Sequence, residues 1–282
     1  MKRVMVAGAV VAVVTGLAGC TSGGTTDGPP TEKHSASHRS AADGDLRAAE
    51  RATGRAGSAR VEATTGVGTS ISLTSEGTLA WGDGLTGTLT ITYTGGTLAD
   101  TMRALGTTSM EARYLPDAYY ARMGDKFAAQ AGGKHWVKYP WDELDELGGA
   151  SGAYAGEQIR SATPNQSVTF LLAADDVREV GRERVRGAQT THYSGTAHVS
   201  DLDDTELRET LERAGVSTQT VDIWVDDRDL VVKKVEKGVA ATGELTQTAY
   251  YADYGTEVSV DKPPAADTQS FKELLAQQGS GD

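Results

Sequence analysis

The sequence predicts an α+β domain, mostly one antiparallel sheet with helices on one of its faces, and three observations carry this. Between Asp45 and about Thr268 the apolar residues recur chiefly with the period of two of a half-buried strand. Turn-forming Gly, Pro and Asp residues break these runs at short intervals, and a few stretches switch to helical spacing behind capping residues. The roughly 220 residues involved suffice for one sizeable core, and no internal repeat divides them.

The chain begins with Lys2 and Arg3, an apolar stretch from Val4 to Val14, and Leu17-Ala18-Gly19-Cys20, the layout of a secretory signal. As a helix, a run of about eleven residues spans about 16 Å, roughly half the hydrocarbon core, so it is too short for a permanent transmembrane helix. The final L-A-G-C resembles the lipobox of bacterial lipoproteins, which implies acylation of the Cys20 thiol after removal of residues 1–19. Cys20 is the only cysteine, so no intramolecular disulfide forms, and two or more acyl chains on it would anchor the chain stably to a membrane. Residues 21–44 contain no Val, Ile, Leu, Met or aromatic residue and are expected to be a disordered tether, making 20–44 a lipidated cysteine and linker. As a flexible coil it would hold the domain about 25 to 30 Å from the bilayer.

The domain proper opens with a helix from Asp45 to Ala56. From Ile71 to Tyr93 the odd positions carry Ile71, Leu73, Leu79, Trp81, Leu85, Leu89, Ile91 and Tyr93, while even positions from Thr86 to Thr94 are all Thr. One apolar and one hydroxyl face mark an antiparallel hairpin buried on one side. Trp81 and Leu85 share a face only if they sit opposite each other, so Gly82-Asp83-Gly84 should be a three-residue loop with Gly84 left-handed. Further strands are expected at Met110–Tyr114, Ala118–Met123, His135–Tyr139, Val177–Val180, Thr190–Val199, Val221–Val225, Leu230–Val235, Thr242–Tyr251 and Glu257–Val260. One helix should start at Thr163 as N-cap, with Pro164 first and Gln166 as capping-box partner. Another should start at Asp203, with Glu206 three residues on, Leu202 and Leu207 as a staple and Gly215 as the stop. A last helix from Thr268 to Gln277 places Phe271, Leu274 and Leu275 on one stripe.

Charge and motifs exclude several functions. The full chain has 27 basic and 39 acidic residues; without Lys2 and Arg3 the balance is −14, the wrong sign for a nucleic-acid partner or for adsorption to anionic headgroups. Gly82-Asp83-Gly84-Leu85-Thr86-Gly87 matches G-x-G-x-x-G but leads into a strand, whereas a dinucleotide site needs a helix there. Gly149-Ala150-Ser151-Gly152-Ala153 lacks the last glycine of a nucleophile elbow. His192 and His198 share a strand face, expected to be solvated, but lie about 20 Å apart, too far for one metal ion. The acidic runs at 142–146, 201–206 and 226–229 lack calcium-loop spacing and read as helix starts and a solvated turn. Nothing singles out a carboxylate pair for glycoside hydrolysis. No catalytic residue, metal or cofactor is expected.

Four strings in order, H-W-V-K-Y at His135–Tyr139, V-G-R-E-R-V-R-G at Val180–Gly187 followed by Thr190 and Tyr193, V-D-I-W-V-D at Val221–Asp226 and Y-G-T-E-V-S-V-D-K-P at Tyr254–Pro263, resemble the LppX and LprG lipoprotein family of actinobacteria. That family's fold is similar to the lipoprotein carrier LolA. The resemblance implies a strongly curved antiparallel sheet, an open half-barrel, with helices on its concave face, over residues 45–268, then a C-terminal helix and tail at 269–282. It implies a lipid or glycolipid ligand in an apolar cavity, and no catalytic motif. Candidate cavity residues are Leu79, Trp81, Leu89, Ile91, Tyr93 and Ile223. Small inner-face residues, Ser75, Gly77 and Gly87, either open such a cavity or let a helix pack close. The expected function is a non-enzymatic, lipid-anchored lipoprotein on the extracytoplasmic face of the cell membrane that binds or transfers lipid. The alternative is an interaction or sensing lipoprotein whose acidic surface binds a membrane-protein partner in the envelope.

Overall fold

The computed structural model describes residues 31–141, 143, 163–174, 176–202, 205–213, 215–240 and 243–279. Cys20, the signal segment, residues 21–30, the Asp203 cap, the Leu207 side chain and the Gly149–Ala153 loop lie outside the described residues and side chains.

Strands β1 (Ser58–Val67), β2 (Ile71–Ala80), β3 (Thr86–Gly95), β4 (Ser109–Leu115), β5 (Ala118–Arg122) and β6 (Trp136–Pro140) form one antiparallel meander. A second contains β7 (Arg178–Val185), β8 (Ala188–His198), β9 (Thr218–Asp226), β10 (Val231–Ala240) and β11 (Gly243–Ala252). The β1–β11 ladder joins them into one 12-stranded sheet, and β12 (Thr268–Ser270) adds parallel to β6 at its edge. The sheet is not closed, its edges being β12 and β7. This is the α+β class that the sequence predicts, a curved open sheet with helices on its concave face.

Helix α1 (Thr31–Ala56) lies along α4 (Pro164–Ala173), and α4 rests on β8, β9 and β10. Ala42, Leu46 and Ala49 of α1 and Val168, Phe170 and Leu171 of α4 are buried in one core with Tyr193 and Ile223 of the sheet. Polar bonds fix the layer: Tyr193 donates to Asp45 Oδ2 at 2.8 Å, Thr169 Oγ1 to Glu50 at 3.2 Å, and Trp81 Nε1 to the Thr53 carbonyl at 3.3 Å. Among the described residues the remaining α-helices are α2 (Gly96–Ala104), α3 (Asp125–Gln130), α5 (Thr205–Arg213) and α6 (Phe271–Gly279).

The hairpin turn matches the parity argument. Its last ladder pair is Ala80–Thr86, which sets Trp81 opposite Leu85 around Gly82–Gly84, and Gly84 has φ +95°. Gly77 and Gly87 serve neither a hollow nor a close helix. Gly77 pairs with Leu89 and Gly87 with Leu79. A Cβ on Gly87 would sit 2.2 Å from the Thr78 carbonyl oxygen and 2.7 Å from Leu79 Cδ2, at φ +153°. The Leu79 side chain thus folds over Gly87, while at Gly77 the backbone of Thr88 and Leu89 takes the space of a Cβ. α4 starts at Pro164 behind an extended Thr163, though Thr163 makes no side-chain cap bond. Past α5, Gly215 takes φ +73° and Val216 N bonds the Leu211 carbonyl at 2.9 Å, the expected C-terminal stop.

Other expectations are corrected. The first helix begins at Thr31, so residues 31–44 of the expected tether are helical, and Ala42 is buried. Alanine supplies a helix stripe without any large apolar residue. β1 was not anticipated, nor were α2 and α3. Residues 257–260 form no ladder, because both edges of β11 are already taken by β1 and β10. The carboxyl end is integral to the domain: β12 pairs with β6, and Leu274 and Phe271 pack with Phe127, Ala131 and Val137. Strand β10 breaks its period at a register shift between Val231 and Lys233, so Val231, Lys234 and Glu236 point inward. His198 is exposed as expected, but on the same face His192 is largely covered: its ring stacks on Trp224 at 4.1 Å, and its nitrogens lie 2.8 Å from Asp222 and 3.1 Å from Glu183. Asp226 is likewise buried, accepting from the Arg228 and Leu230 amides at 3.0 and 2.9 Å to close the β9–β10 turn.

Candidate functional site

The helix pair covers the β8–β10 side of the sheet and leaves the inner face around β1 open to a different arrangement. There the ladder aligns three small side chains, Ser75, Ala63 and Ala249, in one row across β2, β1 and β11. Larger residues flank that row. On one side stands Val61; on the other, Leu73, Thr65 and Gln247 sit directly opposite one another. Ile91 pairs with Ser75 and closes the β3 end. Small side chains between large ones leave a hollow of about 150 Å³, half-open and predominantly apolar, with Leu89 and Tyr114 completing its wall.

Beyond Ala249 and Gln247 the same two rows continue into Lys234 and Glu236 of β10. This pair is buried under α4 with Lys234 Nζ 3.1 Å from Glu236 Oε1, and Ser167 Oγ donates to the same oxygen at 2.5 Å. The apolar hollow thus has one polar flank. Its opposite flank is aromatic. The Tyr93 hydroxyl contacts Met110 Sδ at 3.0 Å, and Tyr114, Tyr119, Tyr139 and Phe271 follow one another with ring centroids 5.4, 5.3 and 4.9 Å apart. Burial pushes the Tyr93 and Tyr139 phenols up to about 12 and those of Tyr114 and Tyr119 higher still.

Of the sequence candidates, Leu89 and Ile91 line the hollow. Leu79 and Ile223 are buried in the core. Trp81 packs edge-on against Tyr254, 6.2 Å between centroids, beside α1. Tyr93 stands next to Leu73 at the aromatic flank. Ala63, Thr65, Gln247 and Ala249 were not anticipated; the alternation Val61, Ala63, Thr65, Val67 is the signal that could have marked β1. Among the described residues no group of three or more His, Cys, Asp or Glu could hold a metal ion, and no helix is long and apolar enough to cross a membrane.

No family model matches the chain. It is 63% identical over 235 residues to the Streptomyces coelicolor protein named "Putative lipoprotein SCO4650", covering 83% of this chain and 77% of that one. It is 52% identical over 246 residues to a Streptomyces griseus protein named for its mass and its place between rplA and rplJ, covering 83% of this chain and 81% of that one. Among solved structures it resembles the Mycobacterium tuberculosis lipoprotein LppX, with a TM-score of 0.52 and 16% identity over 79% of this chain and 99% of that one. The chain belongs to the family of the Streptomyces coelicolor protein, and its fold is that of the lipoprotein LppX.

Proposed function

We propose that this protein is a lipid-anchored, non-enzymatic lipoprotein of the outer face of the cell membrane that takes up the end of a lipid's alkyl chain. The observation that carries the reading is the apolar hollow between β11 and β4, which α1 and α4 leave uncovered. The L-A-G-C string and the relative's name support the anchor at Cys20.

Size sets the strength of such binding. A hollow of about 150 Å³ matches cavities that take a benzene-sized guest. At ~0.8 kcal/mol per buried CH₂, about six carbons contribute ~5 kcal/mol, equivalent to a Kd of roughly 0.2 mM before ordering costs. Holding this weak favours exchange over storage. The rest of the lipid would remain outside the hollow or require it to widen.

The test is native mass spectrometry of the mature chain, residues 20–282 with Cys20→Ser, delipidated and then exposed to a lipid extract of its host. A discrete added mass is expected, with an occupancy that rises with lipid concentration through the sub-millimolar range, and it should disappear in Ala63→Leu, which fills the hollow. A bare protein under conditions that load a known carrier would sink the proposal and favour the partner-binding alternative. The anchor is tested separately: Cys20→Ser in cells should shift the protein from the membrane fraction to the soluble fraction or leave it at precursor size.

A further inference from the structure

One margin of the sheet is open. Strand β7 ends the strand order, and among the described residues its backbone bonds only to β8. Every second residue of an edge strand turns its N–H and C=O away from its one neighbour, so these groups are left for a further strand. Along this margin the charge reverses. In a chain with 39 acidic and 27 basic residues, Arg178, Arg182, Arg184 and Arg186 stand within nine residues, all four exposed. Arg182 pairs with Thr191 and Arg184 with Gln189, so both lie on the face of Tyr193, the side on which α1 packs. Neither has an ion-pair partner among the described residues; Arg184 makes only a 3.5 Å bond to the Gly187 carbonyl. On the opposite face the charges are engaged: Glu183 lies 3.1 Å from His192, and Arg186 lies 2.8 Å from Glu62 with its guanidinium 3.8 Å over the Tyr250 ring. The margin thus offers two free guanidinium groups, on residues roughly 7 Å apart, beside a row of unpaired backbone groups. We propose that β7 takes up an extended acidic segment of a partner protein as an added strand, with carboxylates at alternate positions of that segment meeting Arg182 and Arg184.

Charges on an edge keep strands apart, and here they exclude two occupants. A second copy of the chain is one. Residues paired across a two-fold axis share a face, so centring the axis on Arg182, Glu183 or Arg184 opposes Arg182 to itself, Arg182 to Arg184, or Arg184 to itself. An apolar strand is the other, since it would crowd both guanidinium groups without supplying a counter-charge. An acidic strand meets neither objection. A flat anionic membrane suits the arginines less well, because Arg178 pairs with Ser194 on the other face and Arg186 is held there by Glu62, so no single plane touches all four. The register shift between Glu179 and Gly181 bounds the regular stretch, so the added strand lies along Gly181 to Val185. The proposal is independent of the hollow, which opens on the inner face around β1.

The probe is a blocked heptapeptide of alternating valine and glutamate, titrated into the nitrogen-labelled mature chain carrying Cys20→Ser. Binding is followed at the amide resonances of Gly181–Val185 and by their hydrogen exchange. The glutamate peptide should bind at least about tenfold more tightly than its lysine counterpart, and alternate amides along Gly181–Val185 should exchange more slowly. Methylating the backbone nitrogens of its central residues should weaken it by about tenfold, the worth of one or two lost hydrogen bonds. In Arg182→Glu/Arg184→Glu the preference should reverse toward the lysine peptide, a result that an unfolded variant would not give. Equal binding of the two peptides, or binding of neither, would overturn the proposal. So would a methylated peptide as good as its parent, which would reduce the contact to charge attraction. Dimerisation of the chain through β7, or Arg182-dependent binding to phosphatidylglycerol vesicles without peptide binding, would assign the margin to a second copy or to a membrane instead.

Discussion

Replacing Lys234 by methionine should destabilise the domain by about 3–5 kcal/mol, the cost of stripping one member from a buried ion pair. The Lys234 side chain has no exposed surface and that of Glu236 only 4%, with 3.1 Å between Nζ and Oε1. Ser167 can still donate to Glu236, but a hydroxyl does not neutralise a carboxylate. At about 2–4 °C per kcal/mol for a domain of this size, the melting temperature should fall by roughly 6–20 °C. Glu236→Leu alone should cost a similar amount. The double variant Lys234→Met/Glu236→Leu removes both desolvation penalties and should lie within about 2 kcal/mol of the wild type, so the coupling energy comes out at several kcal/mol. Urea unfolding of the wild type and three variants, with the m-values compared, completes the cycle. Single-variant losses below about 1 kcal/mol, or a double variant as damaged as the sum of the singles, would refute the idea of a charged pair held out of water beneath α4.

Three further outcomes are expected. Gly87→Ala should cost at least about 2 kcal/mol in chemical denaturation, because its Cβ meets the Thr78 carbonyl at 2.2 Å and its φ of +153° suits only glycine; an alanine variant of wild-type stability would show that the β2–β3 ladder relaxes freely. The folded state holds the Tyr93 and Tyr139 protons up to about pH 12, whereas unfolded phenols release theirs near pH 10. The stability these groups contribute is therefore complete below about pH 10 and lost as the pH climbs toward 12, so phenolate absorbance should rise together with loss of circular dichroism in that window. The amide and then the side chain of His135 hold Asp267 below the usual carboxylate range, so its contribution is present above about pH 4 and lost as the pH falls further. Thermal melts of Asp267→Asn should accordingly differ from wild type at pH 7, and the difference should shrink as the pH falls below about 4.

Local pattern carried far in this chain where partner strands are neighbours in sequence. The β2–β3 hairpin could be read to the residue, because apolar and Thr positions alternate without a break and only one loop length keeps Trp81 and Leu85 together. Strand β10 could not, since the bulge after Val231 shifts the inward parity from the valines onto Lys234 and Glu236, which sequence alone places outside. The amino end of α1 carries no large apolar residue, so apolar spacing alone starts that helix at Asp45, whereas in the fold the small Ala42 is buried there. The hollow was legible only in part, for a third reason. Ser75, Leu89 and Ile91 stand out in the β2–β3 pattern and do line it, but Ala63 and Ala249 are unremarkable singly, and the vacancy exists only once β11 lies beside β1, a pairing no local signal announces.

That pairing also bears on how the protein is made. β1 meets β2 across a short turn, but its other neighbour, β11, begins at Gly243. A chain emerging amino end first can assemble β1 to β6 long before its last strands appear, and throughout that interval one margin of β1 offers unpaired amides and carbonyls along Ser58–Val67. Such a margin templates any extended strand, from another nascent copy as readily as from its own carboxyl end. Contacts this distant in sequence also form slowly. Truncation before Gly243 therefore does more than shorten the product: it leaves an adhesive seam in the middle of the sheet, so unfinished chains should aggregate or be degraded instead of accumulating as soluble fragments.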